Sequence, residues 1–209
     1  MEINEVFYSF QAEGINTGRQ AIFVRTSGCN LRCRYCDTAY AFKPGTNWGV
    51  KGVVDYIRTY HADLVVITGG EPLRQVDEVK SLVSMLNQVG KYDIEVITNG
   101  SLPIWSGFRG MWSMDIKCPS SGMSYHIRYE NLGMLRKRDQ VKFVISNIED
   151  IEFAQDILTR YPIRATVLFQ PAWGTDQERI VSEIMSRLPN VRFSFQVHKW
   201  VYGPDRRGI

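Results

Sequence analysis

The sequence predicts an α/β fold built on a mainly parallel sheet. Short β-rich runs alternate with helical patterns along most of the chain, turn signals separate them, and the residues with unusual chemistry follow the strand runs.

The strand runs are residues 21–25 (AIFVR), 63–67 (DLVVI), 93–97 (DIEVI), 111–116 (MWSMDI), 141–145 (VKFVI), 165–169 (ATVLF) and 191–196 (VRFSFQ). Most are short and rich in β-branched or aromatic residues, the composition that suits a pleated, half-buried surface. Between them, apolar residues recur at helical spacing: Val50, Val53, Val54 and Ile57; Val79, Leu82, Val83 and Leu86; Ile151, Ala154, Ile157 and Leu158; Ile180, Val181, Ile184 and Met185. Each stripe is expected to face a core. Gly90 and Pro162 stop the second and third helices, and T175-D-Q-E178 reads as a capping box opening the fourth. A weaker helical pattern covers His126 to Asp139, and residues 41–49 form the longest turn-like stretch.

No low-complexity segment, linker or fixed-period repeat interrupts this pattern, so residues 1–209 are expected to form a single domain. With 44% hydrophobic residues the chain can bury one sizeable core. The net charge of +3, from 25 basic and 22 acidic residues, is weak support for a nucleic-acid partner. The compact basic runs, Arg136-Lys137-Arg138 and Arg206-Arg207, read as solvated ends. The opening M-E-I-N-E-V has no signal-peptide pattern and no apolar run reaches membrane-spanning length. A soluble protein of a reducing compartment, most simply the cytoplasm, is therefore expected, with neither nucleic acid nor membrane as partner.

The chemistry centres on Cys29, Cys33 and Cys36, in the run C-N-L-R-C-R-Y-C. Three thiolates at this spacing can hold three irons of a 4Fe-4S cluster and leave the fourth iron open, whereas electron-transfer clusters are commonly held by four cysteines. An open iron implies a small molecule bound directly to the cluster. Two other readings stand beside this one: a structural zinc site completed by Cys118, and a disulfide framework. After the second strand run comes Thr68-Gly-Gly-Glu-Pro72. Its glycines permit close backbone approach and Pro72 ends the strand, although a strand-to-helix turn needs no ligand to use such residues.

The pairing of the three-cysteine run with Gly69-Gly-Glu-Pro72 resembles the radical S-adenosylmethionine superfamily. That resemblance implies a partial parallel (β/α) barrel, a 4Fe-4S cluster on Cys29, Cys33 and Cys36, and S-adenosylmethionine on the open iron. It further implies a 5′-deoxyadenosyl radical that removes a hydrogen atom from a substrate. Segments outside that core, F7-Y-S-F-Q-A-E-G14, F23-V-R25, C36-D-T38, D115-I-K-C-P-S-S-G122, Gln170-Pro171 and Q196-V-H-K to Ile209, resemble the 7-carboxy-7-deazaguanine synthase family. The likeness spans nearly the whole chain. It implies conversion of 6-carboxy-5,6,7,8-tetrahydropterin to 7-carboxy-7-deazaguanine with loss of ammonia, in queuosine and deazapurine biosynthesis. It implies magnesium, an electron-donating reductase and a homodimer as well.

Carried over residue by residue, the resemblance implies substrate contacts from Phe10, Gln11, Ala12, Glu13, Arg25, Thr68, His198 and Ile209. Cofactor contacts are implied for Tyr35, Cys36, Asp37, Gly70, Glu71, Asp115, Ile116, Lys117, Gln170, Pro171, Ala172 and Trp173. Thr38 is implied as the magnesium ligand, a hard oxygen of the kind that ion prefers. No catalytic side chain is expected beyond the cluster, cofactor and metal. Two departures stand out: Ala12 replaces the glycine usual in Q-G-E-G, and Cys118 has no assigned role. The alternatives carried forward are a radical activase acting on a protein partner and a zinc-stabilised nucleic-acid-binding module.

Overall fold

The computed structural model describes residues 1–208, so Ile209 lies outside the described residues. In chain order the strands are β1 (Glu2–Phe10), β2 (Gln20–Thr26), β3 (Thr46–Asn47), β4 (Leu64–Gly69), β5 (Asp93–Thr98), β6 (Met111–Ile116), β7 (Gln140–Ile145), β8 (Thr166–Pro171) and β9 (Arg192–Phe193). The helices are α1 (Val50–Ile57), α2 (Val76–Val89), α3 (Glu130–Met134), α4 (Ile148–Arg160), α5 (Gln177–Arg187) and α6 (Val197–Tyr202).

The strands join in one open sheet, ordered β3-β1-β2-β4-β5-β6-β7-β8-β9. From β2 through β4 to β9 every neighbouring pair is parallel, while β1 runs antiparallel to both β2 and β3. This is an α/β partial barrel, as expected. Helical stripes cover the outer face: Val53, Ile57, Val79, Leu82, Leu86, Ile151, Ala154, Ile157, Ile180 and Ile184 join one core with Ile94, Val96, Trp112, Met114, Ile116, Val141, Phe143 and Ile145 of the sheet.

Period-two alternation then decides what the inner face carries. Residues between those core positions point the other way: Glu95 in β5, Ser113 and Asp115 in β6, Gln140 and Lys142 in β7. Strand register sets Ser113 opposite Gln140 and Asp115 opposite Lys142. The outer face is apolar and the inner face of the central strands is polar. Toward the β1 side the inner face becomes apolar, where Phe7 and Phe23 stack with centroids 4.9 Å apart in a small cluster with Ala21, Leu64 and Val66.

Several local expectations are corrected. Strand β1 escaped the periodicity reading because its register slips between Ile3 and Glu5, a bulge that breaks strict alternation. The last strand covers Arg192–Phe193 rather than 191–196, and the weak pattern over 126–139 yields only the short α3. Asp176, not Thr175, caps α5: its carboxylate accepts the Arg179 amide at 3.1 Å, while the Thr175 hydroxyl donates to the Ala172 carbonyl at 2.7 Å. Met185 is 67% exposed, outside the core stripe of that helix. Arg136 is no solvated end: it binds the fully buried Asp139 and donates to the carbonyls of Phe108 and Gly110.

Candidate active site

Strand ends come together around a cavity of about 610 Å³ at the carboxyl edge of the parallel sheet, where ligands of α/β sheets gather. The loop after β2 holds Cys29, Cys33 and Cys36, all half-buried with free thiols. Its base is clamped by the end of β4. Gly70 donates to the Thr26 carbonyl at 3.1 Å and Glu71 to the Gly28 carbonyl at 2.9 Å. A Cβ on Gly70 would lie 2.2 Å from the Gly28 oxygen, and one on Gly69, at φ +146°, 2.3 Å from the Thr26 oxygen. The two glycines thus let β4 press against the cysteine loop, a close approach between backbones.

Glu71 works from beneath. Fully buried, its carboxylate accepts the Leu73 amide at 3.0 Å, the Thr98 hydroxyl at 2.8 Å and the Asn99 amide at 2.7 Å, tying β4 to β5. Burial raises its pKa, and those hydrogen bonds oppose the rise. Asn99 in turn reaches Cys29 Sγ at 3.7 Å, and the Leu31 amide reaches the same sulfur at 3.4 Å. Donors on sulfur are one of the means by which a protein tunes an iron–sulfur cluster.

Cys118 stands apart. It is fully buried, its Sγ directed at the Ile116 carbonyl 3.7 Å away, and burial pushes its thiol pKa well up. With its thiol buried and turned to a backbone carbonyl, Cys118 is not presented as the fourth ligand that a tetrahedral zinc site on this loop would need. Three free, half-buried thiols with N–H donors on one of them fit a cluster held at three irons. Burial raises the pKa of Cys33 and Cys36, a cost that binding to iron offsets because the metal takes the thiolate.

Across the cavity floor runs a chain of charges. Lys117 Nζ is 2.9 Å from Asp115 Oδ2, and Lys142 Nζ is 3.5 Å from Asp115 Oδ1, an ion-pair distance without hydrogen-bond geometry. Lys142 also pairs with Glu13. Burial opposes ionisation of both acids, but the ammonium groups outweigh it: Glu13 is lowered by Lys142, and Asp115 by Lys117 and then Lys142. Gln196 donates to Glu13 and to Asp37, each at 3.1 Å, and Lys199 reaches Asp37 at 2.9 Å. The Lys199 charge lowers the Asp37 pKa against the effect of burial. The Thr38 hydroxyl donates to Asp37 Oδ1 at 2.9 Å. Burial lowers the pKa of His198, favouring its neutral imidazole at pH 7.

The opposite wall belongs to Arg25. Its Nε lies 2.7 Å from Glu5, its cross-strand partner, and the Tyr40 hydroxyl donates to the same Glu5 oxygen at 2.7 Å. The Arg25 guanidinium rests near the rings of Phe7 and Tyr40 at 5.6 and 5.7 Å.

Of the residues predicted for substrate, Phe10, Gln11, Ala12, Glu13, Arg25, Thr68 and His198 all border this cavity. The Gln11 side chain turns away, donating to the buried Glu95 at 3.1 Å and accepting the Glu13 amide at 3.3 Å. Ala12 is buried and keeps a negative φ, so this backbone position accepts its methyl group without left-handed strain. Of the cofactor and metal residues, Cys36, Asp37, Thr38, Gly70, Asp115 and Lys117 border it. Cys29, Cys33, Tyr35, Glu71, Ile116, Gln170, Pro171, Ala172 and Trp173 do not. The side chains of Glu71, Ile116 and Gln170 are committed elsewhere, to strand bracing, to the outer core and to Ser194 at 3.0 Å. Trp173 packs edge-on against Trp200 at 5.3 Å. Sequence reasoning missed Tyr40, Asn99, Lys142, Lys199 and Arg207 on the cavity wall. The available signals were a lysine inside the apolar run V141-K-F-V-I145 and the family-like ending from Gln196 to Ile209, which contains Lys199 and Arg207.

A partial barrel with a three-cysteine loop at its carboxyl edge is the arrangement of a radical S-adenosylmethionine enzyme, and residues 23–110 match the model of the Radical SAM superfamily. The chain is 39% identical to a 7-carboxy-7-deazaguanine synthase of Methanospirillum hungatei over 96% of this chain and 85% of that one. It is also 39% identical to that of Thermoplasma acidophilum, over 97% and 98%. The crystal structure of QueE from Escherichia coli superposes with a TM-score of 0.78 at 25% identity, covering 94% of each chain. The chain belongs to the 7-carboxy-7-deazaguanine synthase family.

Proposed function

We infer that this chain converts 6-carboxy-5,6,7,8-tetrahydropterin to 7-carboxy-7-deazaguanine, using a 4Fe-4S cluster, S-adenosylmethionine and magnesium. The observation that carries the substrate reading is the cavity itself, in which Cys36 and Thr38 face a floor of Glu13, Lys142 and Asp115. When bound, the cluster and S-adenosylmethionine supply a hydrogen-abstracting radical.

The chain's own residues bind and orient. Glu13, kept ionised by Lys142, offers carboxylate acceptors to the N–H edge of a pterin ring. Arg25 offers the guanidinium N–H groups that Glu5 leaves free to an acid or a ring oxygen. His198 presents an imidazole whose neutral form can both donate and accept. Asp115 and Lys117 form a half-buried polar pair on the cluster side, suited to a ribose hydroxyl and a carboxylate. For magnesium, Thr38 and the anionic Asp37 supply hard oxygens at one edge, and that ion takes few protein ligands while keeping waters.

The reading includes a single domain, since every strand joins one sheet, an electron-donating reductase for the cluster, and a homodimer. The exposed Trp200, Val201 and Tyr202 of α6 support the dimer. Cytoplasmic residence is supported by four unpaired cysteines, and among the described residues no helix is long and apolar enough to cross a membrane.

The test is anaerobic reconstitution with iron and sulfide, then incubation with S-adenosylmethionine, reductant, magnesium and the carboxypterin. Product should form; none from an intact cluster overturns the assignment and reopens the activase reading. Thr38→Ala should blunt the response to added magnesium, and an unaltered titration removes Thr38 from that site.

A further inference from the structure

The inward cations of the cavity are nearly all held by carboxylates: Lys117 by Asp115 at 2.9 Å, Lys142 by Glu13, Lys199 by Asp37 at 2.9 Å, and Arg25 by Glu5 at 2.7 Å. Recruiting any of these for an anionic ligand means sharing or breaking a half-buried pair. Arg206 and Arg207, which also line the cavity, differ. Among the described residues no carboxylate lies within ion-pairing distance of either, their neighbour Asp205 included.

Arg207 is nonetheless positioned. Its guanidinium carbon lies 4.1 Å from the centroid of the Tyr40 ring. That ring is itself anchored, because its hydroxyl donates to the Glu5 oxygen that also holds Arg25. A cation–π contact with a ring consumes none of the five guanidinium N–H donors, so those of Arg207 stay available to a ligand. Arg25 approaches the same ring at 5.7 Å. Two guanidinium groups, one paired with Glu5 and one without a carboxylate partner among the described residues, therefore lie at a single aromatic platform two residues beyond Thr38.

We propose that Arg207 is a specificity-determining residue of this cavity: held on Tyr40, it reads the carboxylate of a planar heterocyclic ligand together with Arg25. The proposal rests on the carboxypterin reading above and deepens it. The chain after α6 is then part of the binding site, supplying the charge that the sheet's own cations have already committed.

The experiment compares binding of 6-carboxypterin and of pterin lacking the carboxylate to cluster-loaded protein with S-adenosylmethionine present. Arg207→Ala should weaken 6-carboxypterin about tenfold, the scale of one charge-assisted hydrogen bond, and leave pterin unchanged. Arg207→Lys, which keeps the charge but loses the planar fork, should fall between. Iron content of each variant serves as the control for folding, since Arg207 is exposed. A wild-type preference for 6-carboxypterin that survives Arg207→Ala overturns this inference alone, as does an equal loss for both ligands. Wild-type protein with no such preference overturns the substrate reading along with it.

Discussion

Asp115 and Lys142 face each other as register partners on β6 and β7, carboxylate and ammonium 3.5 Å apart. Parallel pairing aligns them, and alternation turns both to the inner face. Lys142 continues to Glu13 and Asp115 to Lys117. One row of alternating charge thus runs from the amino-terminal loop to the cysteine side of the cavity.

Lys142 is the keystone of that row. Its side chain is 7% exposed, against 14% for Asp115 and 20% for Glu13. Lys142→Met strips Glu13 of its cation and leaves Asp115 with Lys117 alone, and breaking a largely buried pair costs about 3–5 kcal/mol. Urea unfolding of wild type and variant in the same cluster state measures it; a loss below about 1 kcal/mol would contradict the pairing.

The buried acids respond to pH in opposite directions. Asp115 and Glu13 have lowered pKa values, so their stabilisation is present above the ordinary 3.8 and 4.5 and is lost as pH falls through the native values. Glu95, 1% exposed on the same face, has a pKa raised by burial despite donors from Asn16 and Gln11. Its contribution is present below 4.5 and lost as pH rises through the native value. Glu95→Gln, which cannot ionise, should therefore gain on wild type as pH rises from about 4 to 7. A stability difference that stays constant over that range would show that Glu95 does not titrate as argued.

Cysteine substitutions should divide by location. Cys29, Cys33 or Cys36→Ala should each abolish stable iron loading, whereas Cys118→Ala, in the core, should load iron and sulfide normally while losing on the order of 1 kcal/mol of stability. Iron and acid-labile sulfide analysis separates the two groups. Loss of iron from the Cys118 variant would return it to the metal site.

Gly70→Ala isolates the clamp under the cysteine loop. The added Cβ would sit 2.2 Å from the Gly28 oxygen, which must move. The variant should fold, because the outer core is untouched, yet retain less iron after desalting. Full retention would mean the loop tolerates displacement at its base.

Much of the fold was legible because its signals are local. Apolar stripes such as Val79, Leu82, Val83 and Leu86 reported an outer core that the structure reproduces, with all four buried. Gly90 ended that helix in a left-handed conformation at φ 80°, as a stop signal should. Strand β1 was hidden by its bulge and α6 by its brevity. The cavity was legible in part: Glu13, Arg25 and Thr38 came from matching residues, while Lys142 lies among apolar neighbours and Lys199, inside the family-like ending, gave no sign of its partner Asp37.

The sequence by itself determined the cysteine loop and seven of the nine described strands, because ligand spacing and side-chain periodicity need only nearby residues. Tertiary structure decided how each charge is used. It joined Lys142 to Glu13 across 129 positions and Gln11 to Glu95 across 84, buried Cys118, gave Glu71 to strand bracing, and left Arg207 without a carboxylate among the described residues. Whether an ionisable side chain braces the fold or faces a ligand depends on its partners and its distance from water, and both arise only when distant segments meet.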